Sequence, residues 1–422
     1  MSFSKPRGTQ DIYFEDSLYF NKVVDVLKQV SKIFNYSEIL TPIFESKDLF
    51  VRNIGATTDI VTKEFYDFKD KGDRDLVLRP ENTVGVIRAV VENKLALSNP
   101  LPLNFFYIGP MFRYERPQNG RYRQFYQFGI EKIGIKNVYD QIEAILLSNT
   151  ILKTLNIKQY KLKINFIGDI ETREKWINEL KKYFSKFKDN LTQDSINRID
   201  KNPLRILDDK IDGEKQFVKD APKIDKYLTN KEKEEVNEII RLLKSLDIEF
   251  EFDRTMVRGL DYYCGLVFEF ISTSNILIGQ STLIGGGKYS KLVEEIGGPN
   301  LDCVGFGLGI DRIIIAYKNE NQEKLTTKID LYIASIGDDQ KVKDVCFILN
   351  NLARLNGLVS SCNNDLSKLD KHFKYAEKLS PRFIAILGKK ELEKNIVILK
   401  DQTSKKEETI NLLEFVEKIK NK

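Results

Sequence analysis

Four arginines fall within eleven residues at the head of a short aromatic run, MFRYERPQNGRYRQFYQFGIEKIG, residues 111–134: Arg113, Arg116, Arg121 and Arg123. The planar guanidinium fork grips phosphate or carboxylate oxygens in pairs. Residues two apart on a strand share one face. Read as a strand, Arg123, Phe125, Gln127, Gly129 and Glu131 present a cation, an aromatic plate, an amide and a carboxylate in steps of ~3.4 Å. On a partner strand Arg113 can point into the same space. The chemistry this suits is an anion site with a platform on which a base could stack. The plainer alternative is an edge hairpin with exposed arginines and half-buried aromatics.

The remaining inventory excludes whole mechanisms. A single histidine, His372, leaves no room for a multi-histidine metal site, and it reads as a surface or packing residue of the tail. The four cysteines, Cys264, Cys303, Cys346 and Cys362, form no CxxC pair, so neither a zinc site nor a disulfide framework is expected. Any catalysis must therefore run on Arg, Glu, Gln, Tyr, Lys and metal-bound phosphate. No apolar run approaches the ~18 residues of a membrane span, and the first residues, MSFSKPRGTQDIYF, lack an apolar signal core. A soluble, cytoplasmic protein without a membrane partner is expected.

The 422 residues suggest about three domains at ~150 residues each. Residues Glu15 to Phe34 read as an amphipathic helix with Val23, Leu27, Val30 and Phe34 on one face. YSEILTPIFES is a short strand broken at Pro42. RDLVLRPENTVGVIRAVVEN is strand, turn and helix, with Glu81 and Thr83 at the turn, where Glu81 could also cap the helix. The arginine stretch is two strands joined by a polar loop around Pro117 to Gly120. From Ile170 to about Leu246 a Lys/Asp/Glu-rich helical segment reads as an insertion. Strands resume at IEFEFDRTMVRGLDYYCGLVFEFI, and DCVGFGLGIDRIIIAY is a glycine-spaced strand running into a helix. Gly285–Gly287 before Lys288 does not meet the P-loop pattern and reads as a tight turn lining a pocket. Residues 318–327 read as a linker. Beyond them strands and helices alternate, a small helix-covered sheet. Residues 328–422 carry 18 Lys/Arg against 14 Asp/Glu, a local excess of +4 within a net charge of +5.

Arg113-x-Glu115, a loop, then Arg121-x-x-x-Phe125 is similar to the second signature of class II aminoacyl-tRNA synthetases; GFGLGIDR, Gly305 to Arg312, resembles the third, and Pro42 in ILTPIFE the first. VRGLDYYCG and GGGKYSKLVEEIGG resemble the two sequences that mark histidyl-tRNA synthetases within that class. KPRGTQDI and NPLRILDDK…KDAPK are similar to bacterial members. The resemblance spans nearly the whole chain in the family's order. The chain departs from the family pattern at Asn82, where glycine is usual, and at Lys288, Ser290 and Lys291; lysine for arginine keeps the charge and loses the fork.

The resemblance implies an α+β catalytic domain on an antiparallel sheet (1–325), interrupted by the helical insertion at about 170–246, and a C-terminal α/β anticodon-binding domain (328–422). It implies that L-histidine and ATP give histidyl-adenylate, and that the acyl group then passes to the 3′ end of tRNA(His), on a homodimer. Arg113 and Arg258 would be catalytic, on the α-phosphate. Arg113, Glu115, Arg121, Phe125 and Arg312 would bind ATP, the adenine between Phe125 and Arg312, with Mg2+ on the outer phosphates. Glu81, Asn82, Thr83, Arg113, Gln127, Glu131, Arg258, Tyr262 and Tyr263 would bind histidine: Glu81, Thr83 and Gln127 at the α-amino group, Glu131 and the tyrosines at the imidazole. Against this, Tyr262 and Tyr263 could be core aromatics and Arg258 a turn residue. A class I synthetase is excluded, since its signature needs paired histidines. The remaining rival is the histidine-binding regulatory subunit of ATP phosphoribosyltransferase, which typically lacks the tail and loses ATP-site arginines.

Overall fold

Strands whose alternate residues are large and apolar form the central sheet of the larger part of the molecule. The computed structural model describes residues 3–54, 58–207, 209, 211–257 and 262–420, in two compact units, Met1–Lys324 and Leu325–Lys422. The first unit holds an eight-stranded sheet in the order Ser37–Glu38, Leu103–Phe112, Gln124–Ile133, Cys303–Gly309, Thr282–Tyr289, Tyr263–Ser272, Tyr160–Phe166, Glu251–Phe252. The inner six strands run antiparallel. Each outer edge is a two-residue parallel strand, too short to template pairing with another chain.

Register separates the two faces of this sheet. Phe106, Ile130 and Phe306 lie side by side across three strands, as do Ile108, Phe128 and Leu308. Phe128, Phe268, Phe270 and Phe306 are fully buried there. Helices Phe14–Ile33, Val138–Thr154 and Ile310–Asn321 associate with one another and with these strands. The first of them buries Tyr19, Val23, Val26, Leu27 and Val30, the stripe its 3.6-residue period predicts. The opposite face is nearly bare: Gly109, Gly129, Gly305, Gly307, Gly285 and Gly287 lie across four neighbouring strands. A side chain on Gly129 would strike the Tyr107 ring at 2.3 Å, one on Gly305 the Glu131 carboxylate, and one on Gly307 the Gln127 amide at 2.7 Å. Each glycine cedes its volume to a polar neighbour.

The triple glycine is therefore mid-strand, within Thr282–Tyr289, and not the turn expected from its composition. The physical reason is crowding between backbones: a Cβ on Gly287 would lie 2.6 Å from the Leu266 carbonyl oxygen. A three-stranded antiparallel sheet, Phe44–Ser46, Asp75–Leu78, Tyr66–Lys69, leads into helix Thr83–Glu92.

Between Ile170 and Ser245 the described residues form α and 3-10 helices, without strands. The insertion leaves and returns at one knot. Asp169 caps helix Ile170–Ser185 by accepting from Thr172 N–H at 2.9 Å, and Thr229 with Glu232 makes the capping box of helix Asn230–Ser245. Glu232 also accepts from Asp169 N–H at 2.8 Å and from the Thr172 hydroxyl at 2.9 Å. One buried carboxylate thus satisfies the starts of both helices.

The second unit is a five-stranded sheet, Ser360–Cys362, Ile329–Ile336, Pro381–Gly388, Ile396–Asp401, Glu407–Asn411. Its first three strands are parallel and the last two antiparallel. Strand Glu407–Asn411 is not evident from the sequence, because its charged residues are exposed and only Ile410 is buried. The linker begins later than its composition suggests: helix Ile310–Asn321 absorbs residues 318–321, held by Asn321 Nδ2 donating to the Leu155 and Tyr317 carbonyls. His372 is a packing residue, 1 % exposed. Its Nε2 lies 2.9 Å from the carbonyls of Ser335 and Leu366, so that nitrogen carries the proton. Nδ1 accepts from the Tyr332 hydroxyl at 2.7 Å, and burial lowers its pKa. All four cysteines are free thiols.

The crowding of backbones around the triple glycine yields a direct test on the apolar face, where Gly286 lies between Phe268 and Phe306. A Cβ on Gly286 would sit 2.3 Å from the Gly305 carbonyl oxygen and 2.4 Å from Phe306 Cβ. Gly286→Ala should therefore cost at least ~1–3 kcal/mol of stability, read as a lowered urea midpoint of the full chain. An unchanged midpoint would mean that the strands can part without cost.

Candidate active site

The bare face is the floor of a cleft of about 320 Å³. Ten residues singled out in the sequence line it: Glu81, Thr83, Arg113, Glu115, Arg121, Phe125, Gln127, Tyr262, Tyr263 and Arg312. The hairpin supplies five of them. Phe125 and Gln127 stand on strand Gln124–Ile133, and Arg113, Glu115 and Arg121 in the loop before it. Arg113 Nε donates to the Pro80 carbonyl at 2.9 Å, and its guanidinium lies 5.3 Å from the Phe125 ring centre. Arg121 pairs with Glu115 and lies 3.8 Å from Glu64. Arg312, in the first turn of helix Ile310–Asn321, is held by three acceptors: the Gly120 carbonyl at 2.9 Å, the Thr282 carbonyl at 2.8 Å and Gln280 Oε1 at 2.7 Å. Burial, then the nearby Arg113 and Arg121, lower its pKa to about 10. Three cations thus meet in one recess, a field that favours an incoming polyanion.

At the other end of the cleft the groups are acids, amides and phenols. Glu81 accepts from Thr83 N–H at 2.8 Å and Val84 N–H at 3.1 Å. It therefore caps helix Thr83–Glu92 and lines the cleft as well. Burial raises its pKa. The Tyr107 hydroxyl lies 3.4 Å from Gln127 Oε1. Tyr262 and Tyr263 pack ring to ring at 4.7 Å, and Tyr262 meets Tyr289 edge-on at 5.5 Å.

Two expected residues stand elsewhere. Glu131 is fully buried beneath the cleft, with Oε1 accepting from the Thr83 hydroxyl and Oε2 from the Tyr289 hydroxyl, both at 2.6 Å. Asn82 turns away from the cleft: its Oδ1 accepts from the Thr41 hydroxyl at 2.7 Å and from Arg79 at 3.3 Å. Its φ of −124° suits any residue, so the position does not require glycine. Arg258 lies outside the described residues. Arg123 also misses the shared face, because the strand begins one residue later; it donates to the Glu115 carbonyl and stacks on Tyr114.

Several residues of the site carry weak signals in the sequence. Arg79, nearly buried, donates to the carbonyls of Thr41, Pro42 and Pro110 and ties the Glu81–Thr83 turn to two other segments. Asp311 accepts from Tyr126 N–H at 3.0 Å and from Gln10, which fastens the N-terminal KPRGTQDI segment to the hairpin. Tyr107, Tyr122, Gln280 and Thr282 complete the walls. The departures at Lys288 and Ser290 fall outside the cleft lining. Lys288 pairs with Asp302 at 3.0 Å and Ser290 with Cys264 at 3.0 Å.

An antiparallel sheet with a cationic recess at one end, a glycine floor and an appended mixed-sheet unit is the architecture of class II aminoacyl-tRNA synthetases. Two family models match in succession: histidyl-tRNA synthetase over residues 8–313 and anticodon binding domain over residues 330–422. The histidine–tRNA ligase of Malacoplasma penetrans is 57% identical over 420 residues, covering 100% of this chain and 98% of that protein. That of Ureaplasma urealyticum is 47% identical over 419 residues, 99% of each. The crystal structure of apo S. aureus histidyl-tRNA synthetase aligns with a TM-score of 0.84 at 35% identity, over 99% of this chain and 100% of that one. The chain belongs to the histidyl-tRNA synthetase family.

The Asn82 contacts generate a prediction. Asn82→Ala removes the acceptor of the Thr41 hydroxyl and one of several acceptors of Arg79 Nη1, which keeps Thr41 and Pro42. It should cost roughly 0.5–1.5 kcal/mol, measured as a fall in the thermal midpoint. Stability equal to that of the parent would show that the turn holds without this contact.

Proposed function

We propose that the cleft carries out both steps of histidine–tRNA ligation, each end of it holding one substrate. The observation that carries this reading is the gathering of ten of the thirteen expected site residues around one cleft. The chain is an ATP-dependent histidine–tRNA ligase. In the first step the histidine carboxylate attacks the α-phosphorus of ATP and pyrophosphate leaves. Both reactants are negative, so the protein's contribution is positioning and positive charge. Arg113 and Arg258 bear on the α-phosphate, Arg121 on the outer phosphates, and Phe125 with Arg312 on the adenine. The fixed fork of Arg312 supports that role, since its donors are already aligned by three acceptors. Magnesium would come with the nucleotide as part of the substrate and offset the charge of its outer phosphates. Glu81, Thr83 and Gln127 take the α-amino group; Tyr262, Tyr263 and Glu131 serve the imidazole. In the second step a 3′-terminal ribose hydroxyl of tRNA(His) attacks the acyl carbon and AMP leaves.

The regulatory-subunit reading is set aside. Arg113, Arg121 and Arg312 are all retained in the cleft, and the tail matches an anticodon-binding family. A Bacillus halodurans ATP phosphoribosyltransferase regulatory subunit/histidyl-tRNA synthetase aligns with a TM-score of 0.66 at 19% identity, a likeness of fold alone. A homodimer in the cytoplasm belongs to the same reading. Exposed Leu40, Ile43, Phe44 and Phe68 offer apolar surface for a second copy. Among the described residues no helix is long and apolar enough to cross a membrane.

Amino-acid-dependent ATP–pyrophosphate exchange, with each amino acid supplied separately, tests the assignment: histidine alone should support it. Arg258→Ala should lower the exchange rate by ~10²–10³ with folding intact; near-normal single-turnover adenylate formation would remove Arg258 from the chemistry. A chain ending at Lys324 should keep the exchange while losing most charging of tRNA, and tRNA binding to the full chain should weaken steeply with salt. Equal charging by the shortened chain would give the tail some other role.

A further inference from the structure

Glu131 is the least accessible polar group of the site, and its surroundings assign a task to a residue the proposed reaction leaves unused. Its carboxylate lies at the centre of the sheet, 0 % exposed, opposite Gly305, whose missing side chain makes its space. Each oxygen already accepts one hydroxyl at 2.6 Å: Oε1 from Thr83 and Oε2 from Tyr289. Thr83 lines the cleft. Tyr289 does not; it ends strand Thr282–Tyr289, is 1 % exposed, and packs edge-on against Tyr262, which does line the cleft. A carboxyl group held at one oxygen can still turn about its last bond. Held at both, its plane is fixed, and its remaining lone pairs point in set directions. An imidazole N–H is a directional donor and requires that fixity.

We propose that Tyr289 is a positioning residue of the histidine site: its hydroxyl locks the plane of the Glu131 carboxylate so that this group can accept from the imidazole of the bound amino acid. The proposal rests on the assignment of Glu131 to the imidazole made above. It also accounts for the glycine opposite Glu131, because the locked carboxylate needs the volume a Gly305 side chain would occupy. Tyr289 contacts no reacting atom, so its effect falls on histidine recognition and leaves the nucleotide untouched.

The lock has a signature in pH. Burial pushes the Glu131 carboxyl up to about 8, against the pull of the Thr83 and Tyr289 hydroxyls, and Glu81 adds to the rise. The other titratable groups facing it are Tyr107 from strand Leu103–Phe112, Tyr262, Cys303 from strand Cys303–Gly309, and Tyr36. The ionised carboxylate is the acceptor, so histidine affinity is full above the Glu131 pKa and falls as pH drops below it. A donor that stabilises the anion lowers that pKa. Removing the donor therefore moves the fall to higher pH.

The test is ATP–pyrophosphate exchange by the full chain between about pH 6.5 and 9, giving KM for histidine, KM for ATP and kcat for the parent, Tyr289→Phe and Glu131→Gln. Tyr289→Phe should raise KM for histidine about tenfold near neutrality, keep KM for ATP within about twofold, and shift the acid limb of the histidine profile to higher pH. Glu131→Gln should abolish the limb. Parental KM and limb in Tyr289→Phe, with Glu131→Gln impaired, would overturn the proposal and leave the assignment of Glu131 standing. Parental histidine use by Glu131→Gln would remove that assignment itself. Should Tyr289→Phe fail to fold, 3-fluorotyrosine at position 289 keeps the shape and strengthens the donor. The limb should then move to lower pH, and a stationary limb overturns the proposal.

Discussion

The constraint on which the catalytic unit depends is the absence of side chains from one face of a sheet. Burying a carboxylate inside a β-sheet, beside a half-buried amide, demands volume and compensating donors, and glycines on four adjacent strands, alternating along two of them, provide the volume. Gly305 and Gly307 stand within contact of Glu131 and Gln127, and Gly129 beneath the Tyr107 ring. The opposite face carries the phenylalanines that hold the strands together. One face is thus specialised for cohesion and the other for recognition, and the register of the strands keeps them apart, since a slip by one residue would exchange them.

Charge is sorted along the same cleft. Arginines 113, 121 and 312 stand close enough to repel one another, so the recess gains when an anion enters it. The far end has the opposite problem: Glu81 and Glu131 are both buried, and desolvation raises the pKa of each. Backbone N–H groups compensate the first and hydroxyls the second. On the proposed reading, a nucleotide and an amino acid are thereby directed to different ends before either has made a specific contact.

The parts of this design that repeat along the chain were legible in it. The hairpin announces itself through alternation, and the strand Cys303–Gly309 through its glycines, which read equally well in the sequence and in the sheet. Residues whose meaning depends on long-range pairing were not legible. Tyr289 sits inside a quoted motif, yet nothing local says that it faces Glu131 from two strands away. Arg79 and Asn82 adjoin a recognised turn, but their partners, Thr41 and Pro42, come from a segment about forty residues earlier. The triple glycine misled for a related reason: composition says turn, whereas crowding between neighbouring strands says sheet. Strand Glu407–Asn411 was hidden because a solvated edge strand has no apolar alternation to show.

The single histidine of the chain acquires a meaning beyond packing. His372 is enclosed in the tail, bonded through both ring nitrogens to Tyr332, Ser335 and Leu366, so its place is not easily ceded to another residue. An enzyme that loads histidine onto tRNA is here translated with one codon for that amino acid among 422. Each copy of the chain therefore draws on charged tRNA(His) at a single position, 372.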